Sequence, residues 1–272
     1  MTPARESFPF QPTAASLAVI DEARSRIHSD DPALETWTTS YLAEHRLRLG
    51  TDLDLARQRL EPGARILDVG AAPLVTTAAL QASGFDVCAI DLDPERFQAV
   101  IENLGLDVRR CDIETEALPV ADGSMDAVVF NELFEHLRID PIFTLGEVLR
   151  VLRPGGVLLL STPNLRSFRG LRNLLLKDQG HAVSGGIYRQ YEKLHSLGHM
   201  GHVREYTVTE TCDFLHRVGF DITAIIYRGG YGRGAVGMAE RLLPSLRPFF
   251  SVVAQRPPER HGATRDRPEP RA

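Results

Sequence analysis

Short apolar runs alternate with amphipathic stretches along most of the chain. The apolar runs predict strands near residues 65–69, 86–90, 107–110, 125–130, 156–161, 221–227 and 249–254. Apolar positions at helical spacing predict helices near residues 74–83, 94–103, 141–152 and 207–218. This alternation is typical of an α/β fold with a doubly wound, mostly parallel sheet and helices on both faces. We therefore predict a seven-stranded sheet of that class in a domain spanning residues 61–255.

The region before the first strand has a helical pattern. Residues 1–12 are interpreted as a loose lead-in, and Leu17, Ile20, Ala23 and Ile27 then recur at helical spacing. Breaks are expected at residues 30–32 and at Gly50. We predict that residues 1–60 form a helical cap over the crevice of the sheet.

Three further segments fall outside the alternation. Residues 162–206 form a long insertion, predicted to be a lid, that holds the histidines His181, His195, His199 and His202. The apolar piece at 238–246 predicts either core packing, the preferred interpretation, or contact with a membrane or a lipid-linked substrate. Residues 256–272 are rich in proline and arginine, so we predict a disordered tail.

Composition and charge exclude several classes of protein. The chain is 43% hydrophobic and 25% charged, with a net charge of −5 that gives no global attraction to nucleic acid or an anionic membrane. Its apolar runs are shorter than the roughly 20 residues of a membrane span, and residues 1–12 lack a signal-peptide core. The three widely spaced cysteines predict buried free thiols. We therefore expect a cytoplasmic protein; the oligomeric state stays open.

The ends of two predicted strands indicate a site that binds a ligand with a ribose. Residues 65–73 read RILDVGAAP, an apolar run followed by a loop of small residues, and the run at 87–91 ends in Asp91. Small residues let the backbone approach a ligand, and Asp91 can accept hydrogen bonds from both hydroxyls of a ribose. The helix that begins near Leu74 directs its first N–H groups into the same crevice.

With these motifs the chain resembles a class I S-adenosylmethionine-dependent methyltransferase. Residues 66–73 and 89–93 match that family's first and second motifs, and residues 124–137 and 151–161 resemble its fourth- and fifth-strand motifs. The resemblance covers roughly residues 60–228 and implies a Rossmann-like fold. One departure lies in the first loop, where the family has Gly-x-Gly-x-Gly and this chain has Gly70, Ala72 and Leu74.

The resemblance also implies which residues bind the cofactor. Asp68 and the loop backbone would hold the amino-acid portion, and Asp91 would bind the ribose. Asp112 and the next backbone N–H would bind the adenine, and Asn131 would lie at the methionine part. The implied cofactor-binding residues are Asp68, Gly70, Ala71, Ala72, Asp91, Leu92, Asp112, Ile113 and Asn131.

The acceptor side is predicted from residues 132–136, which read ELFEH. Helical spacing would place Glu132, Glu135 and His136 on one face. The same pattern occurs in ubiquinone-biosynthesis O-methyltransferases and in small-RNA 2′-O-methyltransferases, where a divalent cation orients the accepting hydroxyl and, in the RNA enzymes, a further histidine matches His202. Two hypotheses stay open, a metal site and a metal-free base at His136; we prefer the second. Arg204, Tyr188 and Tyr191 are further candidates for the acceptor pocket.

The sequence thus favours methyl transfer from S-adenosylmethionine to an oxygen of a small-molecule acceptor or of a lipid- or sugar-linked one. Two alternatives stay open: an NAD-dependent oxidoreductase, which Asp91 alone would suit, and a non-catalytic binding protein with a degenerate cofactor loop at Ala72 and Leu74.

Overall fold

A computed structural model describes residues 4–6, 11–29, 32–197, 201–230 and 234–258 of the 272-residue chain. The described strands form one sheet in the order β1-β7-β8-β6-β5-β2-β3-β4. Their bounds are β1 Ala4–Glu6, β2 Arg65–Val69, β3 Asp86–Asp91, β4 Asp107–Arg110, β5 Met125–Asn131, β6 Leu152–Pro163, β7 Asp221–Arg228 and β8 Phe249–Gln255. The helices are α1 Ala14–Ser25, α2 Pro32–Arg59, α3 Val75–Ala82, α4 Gln98–Leu104, α5 Pro141–Val151, α6 Phe168–Lys177, α7 Ile187–Leu197, α8 Val208–Val218 and α9 Ala235–Leu242.

The seven predicted strands are all present, and the predicted fold class is confirmed. Strands β2 to β6 pair in parallel, whereas β8 runs antiparallel between β6 and β7. The prediction of a loose lead-in over residues 1–12 is wrong for residues 4–6. These three residues add β1 in parallel to the edge strand β7, with Ala4 opposite Ala224, and so pair a row of backbone groups that an edge strand leaves open.

Apolar side chains fill both faces of the sheet. In β2, Ile66 packs on the face that α1, α2 and α3 cover, whereas Leu67 packs on the opposite face. The second face also buries Leu145 of α5 and Leu215 of α8. Because successive residues of a strand point to opposite faces, continuous apolar runs mark strands that are covered on both sides.

The N-terminal helices differ from the prediction at Gly50. Helix α2 runs without a break through this position. A Cβ at residue 50 would lie 2.9 Å from Leu17 Cδ2 and 3.0 Å from Pro12 Cβ. Glycine therefore serves close packing of α2 against α1 and its lead-in, and the surrounding contacts outweigh its low helix propensity.

Two predictions for the C-terminal part are also corrected. Met238 and Leu242 are 56% and 73% exposed, so the preferred interpretation of core packing at 238–246 is wrong. The predicted disorder from residue 256 begins too early, because Arg256 donates from Nη1 to the carbonyls of Arg150 and Leu152. The remainder of that prediction, residues 259–272, lies outside the described residues.

The order of the strands places the ligand crevice. The chain crosses from β2 to β3 in one direction, whereas β5 pairs on the other side of β2. Such a switch opens a crevice at the carboxyl ends of the strands, where α/β proteins bind their ligands. The turns after β2, β3 and β5 therefore meet at one place. Among the described helices, none combines the length and the apolar character of a membrane span.

Candidate functional site

The turn after β2 approaches the crevice as bare backbone. Gly70 has a φ of +74°, and a Cβ there would lie 2.9 Å from Leu133 Cδ2. Leu74, at the third glycine position of the family motif, also has a left-handed φ, of +70°. Its side chain is 1% exposed and packs in the core. The chain thus keeps the left-handed turn, and burial of Leu74 offsets the strain that a side chain meets there.

Asp91 connects this turn to the end of β3. One carboxylate oxygen accepts the N–H of Ala72 at 2.9 Å, and the other accepts the N–H of Asp93 at 3.0 Å. The next side chain, Leu92, is 47% exposed. Each carboxylate oxygen retains a lone pair, so Asp91 can accept further hydrogen bonds at the rim of the crevice.

Asp68 lies deeper, at the end of β2. It is buried and accepts a hydrogen bond from Thr77 Oγ1 at 2.7 Å. Burial raises the pKa of Asp68 to about 6. The carboxyl group faces a cavity under α2 whose lining includes Arg48, Asp68, Gly70, Ala71, Ala72, Asn131 and Glu132. The lining thus brings five predicted cofactor residues together with Arg48, an arginine that was not predicted.

Asp112 lies two residues after the end of β4, whose last residue, Arg110, pairs with Asp91 in the sheet. Its Oδ1 accepts the N–H of Glu114 at 3.1 Å, and its own N–H donates to Glu116 Oε2 at 2.8 Å. Ile113 packs against the second core. Since the N–H of Cys111 donates to the carbonyl of Asp91, Asp112 lies next to the predicted ribose site. The adenine role of Asp112 and Ile113 stays a prediction.

Glu132 does not share a helical face with Glu135 and His136, so that prediction is wrong. Its φ is +51°, and only Phe134–His136 forms a short 3₁₀ turn. Its carboxylate turns under α2, where it pairs with Arg48 Nη1 at 2.7 Å and Arg228 Nη2 at 3.1 Å. The left-handed residue at the strand end breaks the helical spacing and separates its direction from that of the residues that follow.

Arg48, Asp52, Glu132 and Arg228 form a buried ion network. Arg228 at the end of β7 pairs with Asp52 as well as Glu132, and Arg48 donates to Tyr41 Oη at 2.6 Å. Burial raises the pKa of Glu132, but the two arginines outweigh that effect and hold it below its usual value. Among the described residues, the Nε atoms of Arg48 and Arg228 have no hydrogen-bond partner.

Arg48, Asp52 and Arg228 of this network were not predicted from the sequence. The only local indication was the spacing of Arg48 and Asp52, which are four residues apart on α2 and so share a face. Their partners come from other elements, and Asp52 and Arg228 are 176 positions apart.

Glu135, His136 and His202 do come together. One ligand atom from each lies within 4.8 Å of those of the other two, and the two imidazole rings stand 4.9 Å apart at 85°. Glu135 is fully buried and accepts from Thr162 Oγ1 through Oε2, whereas its Oε1 has no hydrogen-bond partner among the described residues. Burial, with the charge of Glu132, raises the pKa of Glu135 well above its usual value.

The insertion at residues 162–206, which the sequence predicts as a lid, holds His202 in this place. The N–H of Val203 donates to the carbonyl of Glu135 at 2.8 Å, and His202 Nε2 lies 3.9 Å from Glu135 Oε1. On its other side, His202 Nδ1 lies 3.4 Å from Glu205 Oε1. Burial opposes ionisation of Glu205, but hydrogen bonds from His202, Ser184 and other lid groups hold its pKa at about 2.

Other predicted lid residues do not reach the site. His195 is exposed on α7, and Tyr188 and Tyr191 are 81% and 52% exposed. Arg204 pairs with Glu210 rather than with the acceptor side. The prediction that the two tyrosines and Arg204 shape the acceptor pocket has no support in this arrangement, and His199 lies outside the described residues.

A Rossmann-like sheet with a small-residue turn after one strand and a carboxylate after the next defines a domain that binds a nucleotide-type cofactor. A family model described as a methyltransferase domain matches residues 40–225 of this chain. The chain therefore belongs to that family, and the predicted class is confirmed. S-adenosylmethionine is the cofactor of this family and fold.

Individual relatives are more distant. The ubiquinone biosynthesis O-methyltransferase of Xanthomonas campestris pv. campestris is 38% identical over 108 residues, which are 38% of this chain and 44% of the relative. The chain thus spans under half the length of this curated relative. A solved S-adenosylmethionine-dependent methyltransferase from Aquifex aeolicus superposes with a TM-score of 0.54 at 18% identity, covering 87% of this chain and 98% of that one.

The fold alone does not decide the reaction. The solved [4+2]-cyclase SpnF superposes with a TM-score of 0.54 at 16% identity and covers 94% of this chain and 100% of its own. The reaction therefore depends on the residues of the site.

Proposed function

We propose that this protein transfers the methyl group of S-adenosylmethionine to an oxygen of a small-molecule acceptor, or of a lipid- or sugar-linked one. The observation that carries the proposal is the juxtaposition of two half-sites. A turn bound to Asp91 faces the crevice from one side, and the cluster of Glu135, His136 and His202 lies beyond the end of β5. The distant O-methyltransferase relative supports an oxygen acceptor over the matched 108 residues only.

The residues of the first half-site fit the cofactor. Gly70 has no room for a side chain, because a Cβ there would meet Leu133, so the turn faces the crevice with backbone at this position. Asp91 would bind the ribose hydroxyls, and Asp112 the adenine amino group. Asp68 would bind the ammonium group of the amino-acid portion, and the unpartnered Nε of Arg48 would bind its carboxylate. When bound, the cofactor supplies an activated methyl group, and the protein's task is to orient the acceptor and to receive its proton.

The second half-site can receive a proton from a hydroxyl. His202 is oriented by Glu205, which leaves its Nε2 directed at Glu135. Burial raises the pKa of Glu135 and so favours its neutral form, which could donate a hydrogen bond through the buried Oε1. We propose His136 or His202 as the group that accepts the proton, since histidine is the side chain that most often acts as a general base.

The alternative is that the cluster of Glu135, His136 and His202 binds a divalent cation. Glu135, His136 and His202 offer one oxygen and two nitrogen ligands, a mixed set that suits Zn²⁺ or Mn²⁺ better than Mg²⁺. Glu132 would not belong to this set, because it pairs with two arginines. We prefer the metal-free base, because only three of the four predicted ligands, Glu135, His136 and His202, come together.

Chelation separates these two hypotheses. With a metal-free base, a chelator leaves turnover unchanged, whereas His136→Ala or His202→Ala lowers the rate on the order of 10²–10⁴-fold. The assay is release of S-adenosylhomocysteine in a screen of hydroxylated acceptors. If chelation abolishes turnover, leaves cofactor binding intact and is reversed by Mn²⁺ or Zn²⁺, the metal-free hypothesis is wrong.

Calorimetry tests the cofactor half independently of any acceptor. We expect S-adenosylhomocysteine to bind and NAD not to bind, which would reject the oxidoreductase alternative. Asp91→Ala should weaken binding by about 1.5–3 kcal/mol, because hydrogen bonds to a charged group are lost. Asp93→Ala is the matched control. Failure of the wild-type chain to bind S-adenosylhomocysteine would favour the non-catalytic alternative.

A further inference from the structure

Helix α6 of the lid presents its apolar side chains to solvent. The helix buries Gly170 and Asn173, a small residue and a polar one. Leu175 and Leu176 are each 78% exposed, and Phe168 stands seven residues before Leu175 on the same face. A helix of a globular protein normally directs its apolar stripe to the core. In α6 the apolar stripe faces solvent instead.

Helix α7 repeats this arrangement. It buries Gln190, which accepts the N–H of His202 at 3.1 Å. Ile187 and Tyr188 are 79% and 81% exposed, and Tyr191 is 52% exposed. Both lid helices therefore combine a polar buried face with an apolar outer face.

The inner faces of the two helices lie toward the active-site segments. Asn173 of α6 donates to the carbonyl of His181 at 2.9 Å, and the N–H groups of Ala182 and Ser184, next in the chain, donate to Glu205. Gln190 of α7 binds the turn that carries His202. The outer apolar faces therefore lie on the side of the lid away from the cluster of Glu135, His136 and His202.

A second insertion, between β7 and β8, also contains a helix with exposed apolar side chains. Helix α9 buries Gly237 and Glu240 and leaves Met238 and Leu242 exposed. The two insertions are joined, because Asn164 at the start of the lid donates from its amide to the carbonyls of Ser245 and Arg247. Exposed apolar side chains thus recur at this end of the molecule, whereas isolated exposed ones would need no explanation.

The charged residues of α6 indicate what kind of surface would cover these apolar faces. Residues 166–177 contain the basic residues Arg166, Arg169, Arg172 and Lys177 and no acidic residue, although the whole chain carries a net charge of −5. All four are exposed. Two copies meeting through this face would bring like charges together, which opposes self-association. Basic residues beside exposed leucines and tyrosines match a surface that is apolar inside and anionic at its boundary.

We propose that the outer face of α6 and α7 docks on an anionic lipid bilayer surface. Phe168, Leu175, Leu176, Ile187, Tyr188 and Tyr191 would enter the boundary between headgroups and acyl chains, and the arginines of α6 would bind the headgroups. This docking face would hold the lid, and the site beneath it, against the membrane. The proposal does not depend on methyl transfer, because it concerns the outer side of the lid.

Flotation with vesicles tests the apolar part of the proposal. The wild-type chain should float with vesicles of phosphatidylcholine and phosphatidylglycerol. Leu175→Asp combined with Leu176→Asp should lower the bound fraction at least tenfold, since two leucine side chains would be withdrawn from an apolar environment. Ile142→Asp is the matched control: Ile142 is 65% exposed on α5, outside the lid, and its substitution should leave binding unchanged. Unchanged thermal unfolding shows that each variant is folded.

Charge reversal tests the electrostatic part. Arg169→Glu combined with Arg172→Glu should lower binding to the anionic vesicles more than tenfold, since each basic residue near such a surface contributes about a fivefold factor. Arg217→Glu, at a 78% exposed side chain on α8, should have little effect. Equal binding to pure phosphatidylcholine vesicles, or no flotation of the wild-type chain, overturns the proposal. So does a wild-type dimer, seen by light scattering, that the paired leucine substitutions make monomeric while vesicles remain unbound.

Discussion

Replacing Arg228 with methionine should destabilise the fold strongly. The side chain is 3% exposed and pairs with both Asp52 and Glu132. Methionine fills a similar volume but leaves two buried carboxylates with only Arg48 to balance them. Removing one partner of a buried ion pair costs about 3–5 kcal/mol, because the remaining charge is neither hydrated nor paired. We expect the free energy of unfolding to fall by about that amount.

A second substitution identifies the cause. Asp52→Leu removes one of the two carboxylates that lose their pairing with Arg228. The double variant should therefore be more stable than Arg228→Met alone. The coupling energy of the double-mutant cycle should be at least about 1 kcal/mol, the size found for residues in one buried network. If the loss came only from poor packing of methionine, the two changes would add without coupling.

The loss should also depend on pH. Burial already raises the pKa of Asp52, and Arg228 is the strongest opposing influence. Without Arg228 the folded-state pKa rises further above the unfolded value, so the folded state holds its proton more tightly. The destabilisation is therefore smallest below the ordinary aspartate pKa of about 4 and grows as pH rises toward the folded-state pKa. We expect a larger loss at pH 8 than at pH 5.

Urea unfolding provides the measurement. Trp37, the only tryptophan of the chain, stacks on Tyr41 of α2, so its fluorescence reports this helix while circular dichroism reports the whole fold. Arg217→Met is the control, because that side chain is exposed and pairs with Asp213; such pairs contribute about 0–1 kcal/mol. A loss below about 1 kcal/mol for Arg228→Met, or a loss independent of pH, would refute the reasoning.

Two further predictions concern the turn after β2. Leu74→Ala should reduce the free energy of unfolding by about 2–5 kcal/mol, as for other buried leucines. Leu74→Gly should be no less stable than Leu74→Ala, because only glycine relieves the left-handed strain of about 1–2 kcal/mol. Urea titrations that rank the glycine variant clearly below the alanine variant would contradict the strain. For Asp68, whose pKa burial raises to about 6, binding of the ammonium group favours the carboxylate, so affinity for S-adenosylhomocysteine should fall as pH drops through 6. Calorimetry across this range should show the fall in the wild-type chain and not in Asp68→Asn.

Most of the fold follows from local patterns. Continuous apolar runs such as β5 can be buried on both faces only in a covered sheet, and the small-residue turn at Gly70 marks where backbone approaches a ligand. These features act within a few residues, so sequence reasoning can use them. Gly50 misled it because local propensity predicts a break, whereas a tertiary contact with Leu17 explains the glycine.

The site was predictable only in part, for the same reason. Asp68 and Asp91 follow strands, and their place at the crevice follows from the topology. Glu132 has the expected place in the sequence, but a left-handed φ turns it toward Arg48 and Arg228. Those partners are remote in sequence, and no periodic pattern relates them. A helical interpretation of residues 132–136 therefore wrongly placed Glu132 beside Glu135 and His136, which do come together.

The lid shows a different limit of pattern reasoning. Amphipathic spacing identifies an apolar helix face but not the environment that covers it. In α6 the inner contacts are polar, as in the hydrogen bond from Asn173 to His181, so burial of the apolar face is not what fixes the helix to the domain. Leu175 and Leu176 then remain exposed to water, and the isolated chain gains no hydrophobic stabilisation from them. The proposed docking on a bilayer would give this face an apolar environment, and the basic residues of α6 favour an anionic surface.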